Sequence, residues 1–240
     1  MSAPVLAHRD CGTCPIRHNA VCSRCTTDEL SRLDDMKYYR SFVAGQPIAW
    51  AGDRMEFVAS VVAGVASLSQ SLEDGRRQVV GLLLPSDFLG RPDRDVVPYD
   101  VTALTDLTFC CFRRQPFQRM MSETPHVAAR LLEKTLDELD SAREWMTVLG
   151  RKTARERIAS LLLMFGRRQA FQSGRVNIAS FDLPLTREQI ADYLGLTLET
   201  VSRQFSALKG EGLIGLAGRH GVELRNTRLL QLETGEGSVH

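Results

Sequence analysis

The 240-residue sequence is poor in cysteine, in long apolar runs and in net charge. It has 6 cysteines, and its formal net charge is +1 at pH 7. The longest apolar runs, around VVAGV and VVGLLL, are far shorter than the roughly 20 residues that a membrane-spanning helix needs. The first ten residues, MSAPVLAHRD, lack the basic and apolar regions of a secretory signal. We therefore expect a cytoplasmic protein that does not enter a membrane.

Common enzyme fingerprints are missing as well. The sequence contains no dinucleotide-binding glycine pattern, no phosphate-binding loop and no nucleophile motif. The adjacent Cys110 and Cys111 have neither the C-x-x-C spacing of a redox pair nor a nearby base. We expect a protein that is not an enzyme, and a redox enzyme or electron carrier is the competing class.

The charge is distributed unevenly along the chain. Residues 150–228 hold 13 Lys or Arg against 7 Asp or Glu, whereas residues 1–149 hold 17 against 20. A basic C-terminal third is the modest electrostatic footprint of a nucleic-acid-binding module.

The sequence pattern predicts an α+β fold in successive regions. Residues 1–25 form a cysteine-rich segment, and residues 26–124 combine a short helix at 26–37 with short strands and turns that predict a β-roll. The stretch EDGR at 73–76 predicts a two-residue type I′ hairpin turn. Residues 125–150 predict a long helix, residues 151–228 a second helix and a winged helix-turn-helix, and residues 229–240 a tail.

The long helix carries a heptad repeat, which favours a paired helix and therefore a homodimer. An amphipathic helix packed on its own roll is the alternative. The predicted dimer interface consists of two seam positions, one with Leu132, Leu139 and Met146, the other with Thr135, Ala142 and Leu149.

Residues 185–214, LTREQIADYLGLTLETVSRQFSALKGEGLI, predict a helix-turn-helix. Thr186 and Gln189 fit a capping box at the start of the first helix. Gly195 supplies the tight turn, and Thr197 can cap the second helix. The following stretch, GLIGLAGRHGVELR, predicts a hairpin wing.

The second helix separates into a buried and an exposed face. A buried stripe is expected at Leu198, Val201, Phe205 and Leu208. The exposed face carries side chains that can bond base edges in the major groove. The predicted DNA-contacting residues are Glu199, Ser202 and Arg203, with Thr197 and Thr200 at the helix start and Arg219, next to His220, at the wing tip. The alternative is an ordinary solvated face with a Glu–Arg pair.

The combination of IADYLGLTL and ETVSR with a preceding long helix and β-roll resembles the CRP/FNR regulators, and the FNR branch in particular. The resemblance implies an oxygen-responsive transcription regulator that binds double-stranded DNA as a homodimer and contacts RNA polymerase. It also implies that Glu199, Ser202 and Arg203 read a TTGAT-type half-site. Because no charge occupies the heptad seam, we expect the protein to stay largely dimeric even without a cofactor.

The segment CGTCPIRHNAVCSRC, residues 11–25, holds four of the cysteines. Clustered cysteines in a reducing compartment indicate metal ligands or redox centres. The resemblance implies a [4Fe–4S] cluster on three N-terminal cysteines and one from the roll. The expected ligands are Cys11, Cys14, Cys22 and Cys110, with Cys25 and Cys111 as second choices. Seven residues separate Cys14 from Cys22, a longer gap than in the family pattern.

Cys110 and Cys111 lie on a predicted strand, LTFCCFR, so only one of them can face a cluster. Comparison with the family's strand-to-helix junction favours Cys110, together with Phe112. Cys111 would then point into the roll with Phe109.

Three alternatives stay open for the sensor. A zinc ion could be held by the four N-terminal cysteines, or His18 could be a fourth ligand for zinc or haem. A family member without a cluster could respond to another signal. A cyclic nucleotide is not expected, because the loop SDFLGRPDRDVVPYDVTAL, residues 86–104, has no Glu and no Arg-Ser or Arg-Thr pair.

Overall fold

A computed structural model describes residues 10–75, 77–172, 180–218 and 220–235. The chain divides into two compact units, Met1–Asp140 and Ser141–His240, and the division falls within the long helix. The predicted α+β class, with a β-roll, a long helix and a winged helix-turn-helix, is confirmed. None of the described helices has the length and apolar character required to cross a membrane.

The first unit begins with two 3-10 turns, Cys11–Thr13 and Val21–Arg24, followed by α1, Thr27–Met36. Thr26 starts α1 with a capping box, because its hydroxyl accepts from the Glu29 amide while the Glu29 carboxylate accepts from the Thr26 amide at 2.8 Å. The helix buries Leu33 on its inner face.

Eight strands form the roll as two antiparallel sheets, one in the order β1-β8-β3-β6 and the other in the order β2-β7-β4-β5. Apolar side chains from both sheets fill the space between them, among them Phe42 and Phe109 of the first sheet and Leu83 and Val101 of the second. The strands are β1 Lys37–Phe42, β2 Pro47–Ala49, β3 Phe57–Ala63, β4 Ala66–Ser71, β5 Arg77–Leu83, β6 Phe88–Leu89, β7 Asp100–Ala103 and β8 Leu107–Arg113.

Two expectations about the roll are wrong in detail. Ser71 pairs with Arg77, so the β4–β5 loop has five residues instead of a two-residue type I′ turn. Gly75 has φ +85°. Asp74 does not have a positive φ, since Ser86 is the one non-glycine with positive φ in the described chain. In the longer loop, glycine occupies the position with left-handed backbone conformation, so Asp74 does not have to adopt a positive φ. The end of the 26–124 region, which was predicted to consist of strands and turns, instead forms α2, Arg114–Glu123.

The long helix α3 spans Pro125–Arg151, in agreement with the heptad pattern. Val127 and Leu131 pack inward against an apolar cluster shared with α1 and the N-terminal segment. The predicted seam lies on another face: Leu132 is 60% exposed and Met146 73% exposed in the single chain. Thr135, Leu139 and Ala142 are exposed as well, and Leu149 is half-buried. An exposed Leu136, absent from the predicted seam, adds to this surface.

The second unit contains the remaining elements. The predicted helix after residue 150 is α4, and a short helix, α7, covers residues for which only a tail was expected after 228. The three strands form an antiparallel sheet in the order β10-β11-β9. The elements are α4 Ala154–Gln172, β9 Ser180–Asp182, α5 Arg187–Leu194, α6 Leu198–Gly210, β10 Ile214–Ala217, β11 Gly221–Leu224 and α7 Thr227–Leu232.

Candidate metal centre and nucleic-acid interface

Five of the six cysteines gather in one apolar cluster between the N-terminal segment and β8. Cys11, Cys25 and Cys110 are buried in this cluster, and Cys14 and Cys22 pack against it. All six cysteines are free thiols. Cys111 lies elsewhere, fully buried in the core between the two sheets of the roll with Phe109. The alternation along β8 therefore directs one cysteine of the pair towards the N-terminal segment and the other away from it.

Cys110 is close to three cysteines of the N-terminal segment. Burial raises the pKa of its thiol strongly, and the next influences in size are the charges of Cys11, Cys14 and Cys22. Burial also raises the pKa of Cys111, to about 12, where Arg40 acts in the opposite direction. These neighbours place the Cys110 thiol beside the predicted set of N-terminal ligands.

Arg17 fixes the turn that carries Cys22 and Cys25. Its guanidinium donates to the Ser23 carbonyl at 2.7 Å and to the Cys25 carbonyl at 3.1 Å. Burial raises the pKa of Cys22 and of Cys25 to about 11 each, and the positive charge of Arg17 opposes both shifts. Arg17 therefore orders the turn and favours the thiolate form of both cysteines.

Asp34 and Lys37, at the end of α1 and the start of β1, contact Cys11. The Cys11 amide donates to Asp34 Oδ1 at 3.0 Å, and Lys37 Nζ donates to Cys11 Sγ at 3.5 Å. Lys37 also forms an ion pair with Asp34. Burial, followed by the hydrogen bond with Asp34, raises the pKa of Cys11 to about 12. The sequence pattern gave no expectation for this pair.

The chemistry of these donors fits a thiophilic metal or an iron–sulfur cluster. Among the described residues, no three His, Cys, Asp or Glu side chains already stand at metal-binding geometry. Thiols with raised pKa values must lose their protons before they bind a metal. His18 is exposed and lies outside the apolar cluster.

The same segment is tied to α3 by polar contacts. Arg130 Nη2 donates to Asn19 Oδ1 at 2.9 Å, and Lys134 Nζ donates to the Asn19 carbonyl at 3.1 Å. The Arg130 side chain is 15% exposed, and it also pairs with Glu133. Asn19 lies between Cys14 and Cys22, so α3 holds the loop that joins two predicted ligands.

The helix-turn-helix forms as the sequence predicts. Thr186 and Gln189 make the capping box of α5, and Gly195 ends that helix with φ +61°. Its left-handed conformation is one that glycine adopts without a Cβ penalty. Arg157 of α4 donates to the Leu194 carbonyl at 2.8 Å, which satisfies a terminal carbonyl of α5.

Packing sets the orientation of α6. Val201, Phe205 and Leu208 are buried, as predicted, and the Arg187 guanidinium stacks 3.3 Å from the Phe205 ring centroid. Leu198 is wrong as a member of the buried stripe, because it is 51% exposed. It is the first residue of α6 and precedes the part of the helix that packs inward.

The opposite face of α6 presents the predicted base-contacting side chains. Glu199, Ser202 and Arg203 are all exposed. Their side chains form no hydrogen bond or ion pair with any described residue, so the Glu199–Arg203 pair of the alternative interpretation is not made. Three free polar side chains near a helix N-terminus are available to a partner.

Thr197 and Thr200 have a structural role at the start of α6. The Thr197 hydroxyl accepts from the Thr200 amide at 3.2 Å and donates to the Thr200 hydroxyl at 2.9 Å. In the wing, His220 is exposed and its Nδ1 lies 3.1 Å from the Leu183 carbonyl oxygen. Arg219 lies outside the described residues.

Comparison with known proteins agrees with this architecture. A cyclic nucleotide-binding domain model matches residues 39–124, and a Crp-like helix-turn-helix domain model matches residues 156–232. The chain is 63% identical to the transcriptional activator protein FnrL of Cereibacter sphaeroides, covering 98% of this chain and 95% of that protein. It is 37% identical to the nitrogen fixation regulation protein FixK of Bradyrhizobium diazoefficiens, covering 86% of each.

A solved structure has the same architecture. FixK2 from Bradyrhizobium japonicum superposes with a TM-score of 0.76 at 33% identity, covering 84% of this chain and 99% of that one. With both domain models matched in order and a relative similar over nearly its full length, the chain belongs to the Crp/Fnr family of regulators.

Proposed function

We propose that this protein is a transcriptional activator of the FNR type that senses oxygen through a [4Fe–4S] cluster and binds TTGAT-type pseudo-palindromes as a dimer. It would act in the cytoplasm, without catalysing a reaction. The observation that carries the proposal is the position of Cys110 among Cys11, Cys14 and Cys22. One cysteine of the roll and three of the N-terminal segment supply the four thiolates that such a cluster needs.

Each ligand of the proposed set belongs to an element with a fixed place. Cys11 and Cys22 lie in the two 3-10 turns, and Cys14 caps the first of them. Cys110 lies on β8 between β1 and β3. A bound [4Fe–4S] cluster supplies a redox centre that oxygen degrades. The protein's part is to bring the four thiolates together and to surround them with apolar side chains such as Ile16, Val58 and Phe112.

The contacts of Asn19 with Arg130 and Lys134 support a route from the cysteines to the dimer helix. If the ligand loop moves, the hydrogen bonds that it makes with α3 change at the same time. An effector can shift an equilibrium only through contacts that differ between two states, and these contacts provide such a difference.

The DNA-reading step rests on the free face of α6. Arg203 can donate two hydrogen bonds to guanine, Glu199 can accept from the cytosine amino group, and Ser202 can bond several base edges. In a dimer, two copies of α6 would meet successive major grooves one helical turn apart.

The exposed seam of α3 supports the homodimer. Leu132, Leu136, Leu139 and Met146 are between 43% and 73% exposed in the single chain, a concentration of apolar surface that a paired helix would bury. Activation would further require contact with RNA polymerase. We propose no cyclic nucleotide for the roll, because residues 86–104 lack the Glu and the Arg-Ser or Arg-Thr pair that the nucleotide-binding resemblance calls for.

The proposal is tested by purifying the protein without oxygen and measuring iron, sulfide, the visible spectrum and binding to a TTGAT-type duplex. We expect about four irons per chain, a broad absorption near 400 nm that bleaches in air, and DNA binding that falls with it. Cys22→Ser should abolish iron binding, whereas Cys25→Ser should retain it. The proposal is wrong if the anaerobic protein holds no iron and sulfide.

A structural zinc site is the second candidate, because Cys25 is buried in the same cluster as Cys11. A tetrahedral zinc would use Cys11, Cys14, Cys22 and Cys25 and leave Cys110 unused. One zinc per chain, lost in Cys25→Ser and kept in Cys110→Ser, would establish it. In that case the DNA-binding part of the proposal would stand alone.

A further inference from the structure

Lys37 is a charged residue whose side chain is almost fully buried. Its side chain is 6% exposed, whereas lysine side chains are seldom buried unless they are paired. Its Nζ donates to Cys11 Sγ at 3.5 Å and forms an ion pair with Asp34. The aromatic ring of Tyr39, which also belongs to the cysteine cluster, lies 6.0 Å from the same nitrogen.

Asp34 determines where the ammonium group points. Its Oδ1 accepts from both Lys37 Nζ and the Cys11 amide, at 3.0 Å for the latter. One carboxylate oxygen therefore aligns the Cys11 backbone with the Lys37 head group. The Asp34 side chain is 40% exposed, so water could solvate it without Lys37, and charge neutralisation of Asp34 does not by itself explain why Lys37 is buried.

The negative charge of an occupied metal site would explain why a buried cation lies beside it. Four cysteine thiolates around a [4Fe–4S]²⁺ cluster, or around one divalent metal ion, leave a net charge of about −2. Such a charge in an apolar surrounding is costly unless a cation is close. Among the described side chains, Lys37 is the one that brings a positive charge into contact with the Cys11 sulfur.

We propose that Lys37 is a positioning residue of the metal centre: its ammonium group donates to the Cys11 sulfur, orients it and balances the negative charge of the thiolate site, and Asp34 holds it there. This inference rests on the proposed function in so far as Cys11 is a ligand. It adds two residues, Asp34 and Lys37, that the cysteine pattern does not identify.

The experiment titrates the cofactor-stripped, reduced protein with Co²⁺ without oxygen and follows the sulfur-to-cobalt charge-transfer absorption. Residues that form hydrogen bonds with a metal ligand typically contribute about 10- to 100-fold to metal affinity. We therefore expect K37M to weaken Co²⁺ binding by about 10- to 100-fold. K37R, which keeps the charge and the donor, should restore most of the affinity.

Two controls separate this role from general stability and charge. R119Q removes a positive charge from an exposed position of α2 and should bind Co²⁺ like the wild type. The double variant D34N/K37M leaves no unpaired carboxylate, so its melting temperature should stay near that of the wild type, while its Co²⁺ affinity should be as low as that of K37M.

The outcomes distinguish this inference from the proposed function. Equal Co²⁺ affinity of K37M and wild type would overturn the role of Lys37 and leave the cluster proposal intact. The inference requires Cys11 to bind the metal. It would be overturned if the wild type showed no sulfur-to-cobalt absorption, or if Cys11→Ser left that absorption unchanged. Weakened binding in K37M, together with failure to assemble an iron–sulfur cluster, would support Lys37 and refute the oxygen sensor.

Discussion

Cys110 and Cys111 are consecutive residues of β8 whose side chains lie in two different apolar cores. Cys110 packs with the N-terminal cysteines, and Cys111 packs with Phe109 between the two sheets of the roll. Side chains of a strand alternate between its faces, so this division follows directly from the strand geometry. The two neighbouring thiols therefore have different surroundings.

This division predicts opposite phenotypes for matched substitutions. Cys110→Ser should reduce the iron content to background and leave the roll folded. Cys111→Ser should keep full iron content but lower the free energy of unfolding by about 1–3 kcal/mol, because it buries a hydroxyl in an apolar core. Iron assays and denaturant unfolding of both variants check the prediction, and iron loss in Cys111→Ser alone would reverse the assignment.

Arg130 is expected to couple the cysteine segment to α3. Arg130→Met removes its hydrogen bonds to Asn19 but touches no predicted ligand, so the variant should retain its iron. The ratio of DNA affinities before and after exposure to air should shrink by roughly 2- to 30-fold, the effect of about 0.5–2 kcal/mol of lost coupling.

Arg24→Gln is the control for that experiment. It removes an ion pair with Glu133 whose partners are 52% and 40% exposed, and such pairs contribute about 0–1 kcal/mol. Its affinity ratio should therefore stay close to that of the wild type. An unchanged ratio in Arg130→Met would show that the signal reaches the DNA-binding region by another route.

The sequence predicted those features that depend on residues close together in the chain. The capping box of Thr186 with Gln189 and the alternation around Cys110 are local, and both appear in the structure. The contact of Lys37 with Cys11 joins residues 26 positions apart and depends on how the N-terminal segment docks on α1 and β1. No periodicity encodes such a contact.

The errors have equally specific causes. Leu198 obeys the helical period of the buried stripe, but it is the first residue of α6, where the helix has not yet entered the core. The Asp74–Gly75 pair is typical of a two-residue type I′ turn. The pairing of Ser71 with Arg77, however, leaves a longer loop between β4 and β5. End effects and strand register overrode the local preference in these two places.

Glu211 should stabilise the DNA-binding unit in a pH-dependent manner. Two hydrogen bonds from Arg155 lower the pKa of the Glu211 carboxyl below its usual 4.5. A lowered carboxyl pKa stabilises the fold above the unfolded-state value and loses this effect as the pH falls through the folded-state value. Glu211→Gln should thus be less stable than the wild type at pH 7, with the difference vanishing well below pH 4.5.

Fluorescence of Trp145, which lies 5.0 Å from the Tyr193 ring within the second unit, can follow this unfolding in a Trp50→Phe background. Glu223→Gln is the control, because Glu223 pairs with Arg225 at an exposed position. A stability difference for Glu211→Gln that persists unchanged at pH 3 would contradict the role of the Arg155 contact.

The apolar seam of α3 predicts a dimer that does not depend on a cofactor. Leu139→Glu should weaken it by roughly 100-fold or more, because burial of two leucines contributes at least about 3 kcal/mol. Leu72→Glu, at a 55% exposed leucine of the β4–β5 loop, is the control. Sedimentation of the cofactor-stripped wild type should show dimers at micromolar concentration, and monomers there would refute the prediction.

Arg203 should determine specificity at one base pair. Arg203→Ala removes an exposed guanidinium that no described residue engages, so the free protein should keep its stability. Binding to a TTGAT-type duplex should weaken by about 1–3 kcal/mol, with discrimination relaxed at a single position of the half-site. Arg119→Ala, on α2, should leave the affinity unchanged.

Titrations at several salt concentrations separate this effect from a general loss of charge. A base-reading arginine changes specific binding and leaves binding to random DNA nearly unaffected, whereas a phosphate contact weakens both and lowers the salt dependence. Equal losses on the two DNAs would assign Arg203 to the phosphate backbone and leave the recognition of the half-site to Glu199 and Ser202.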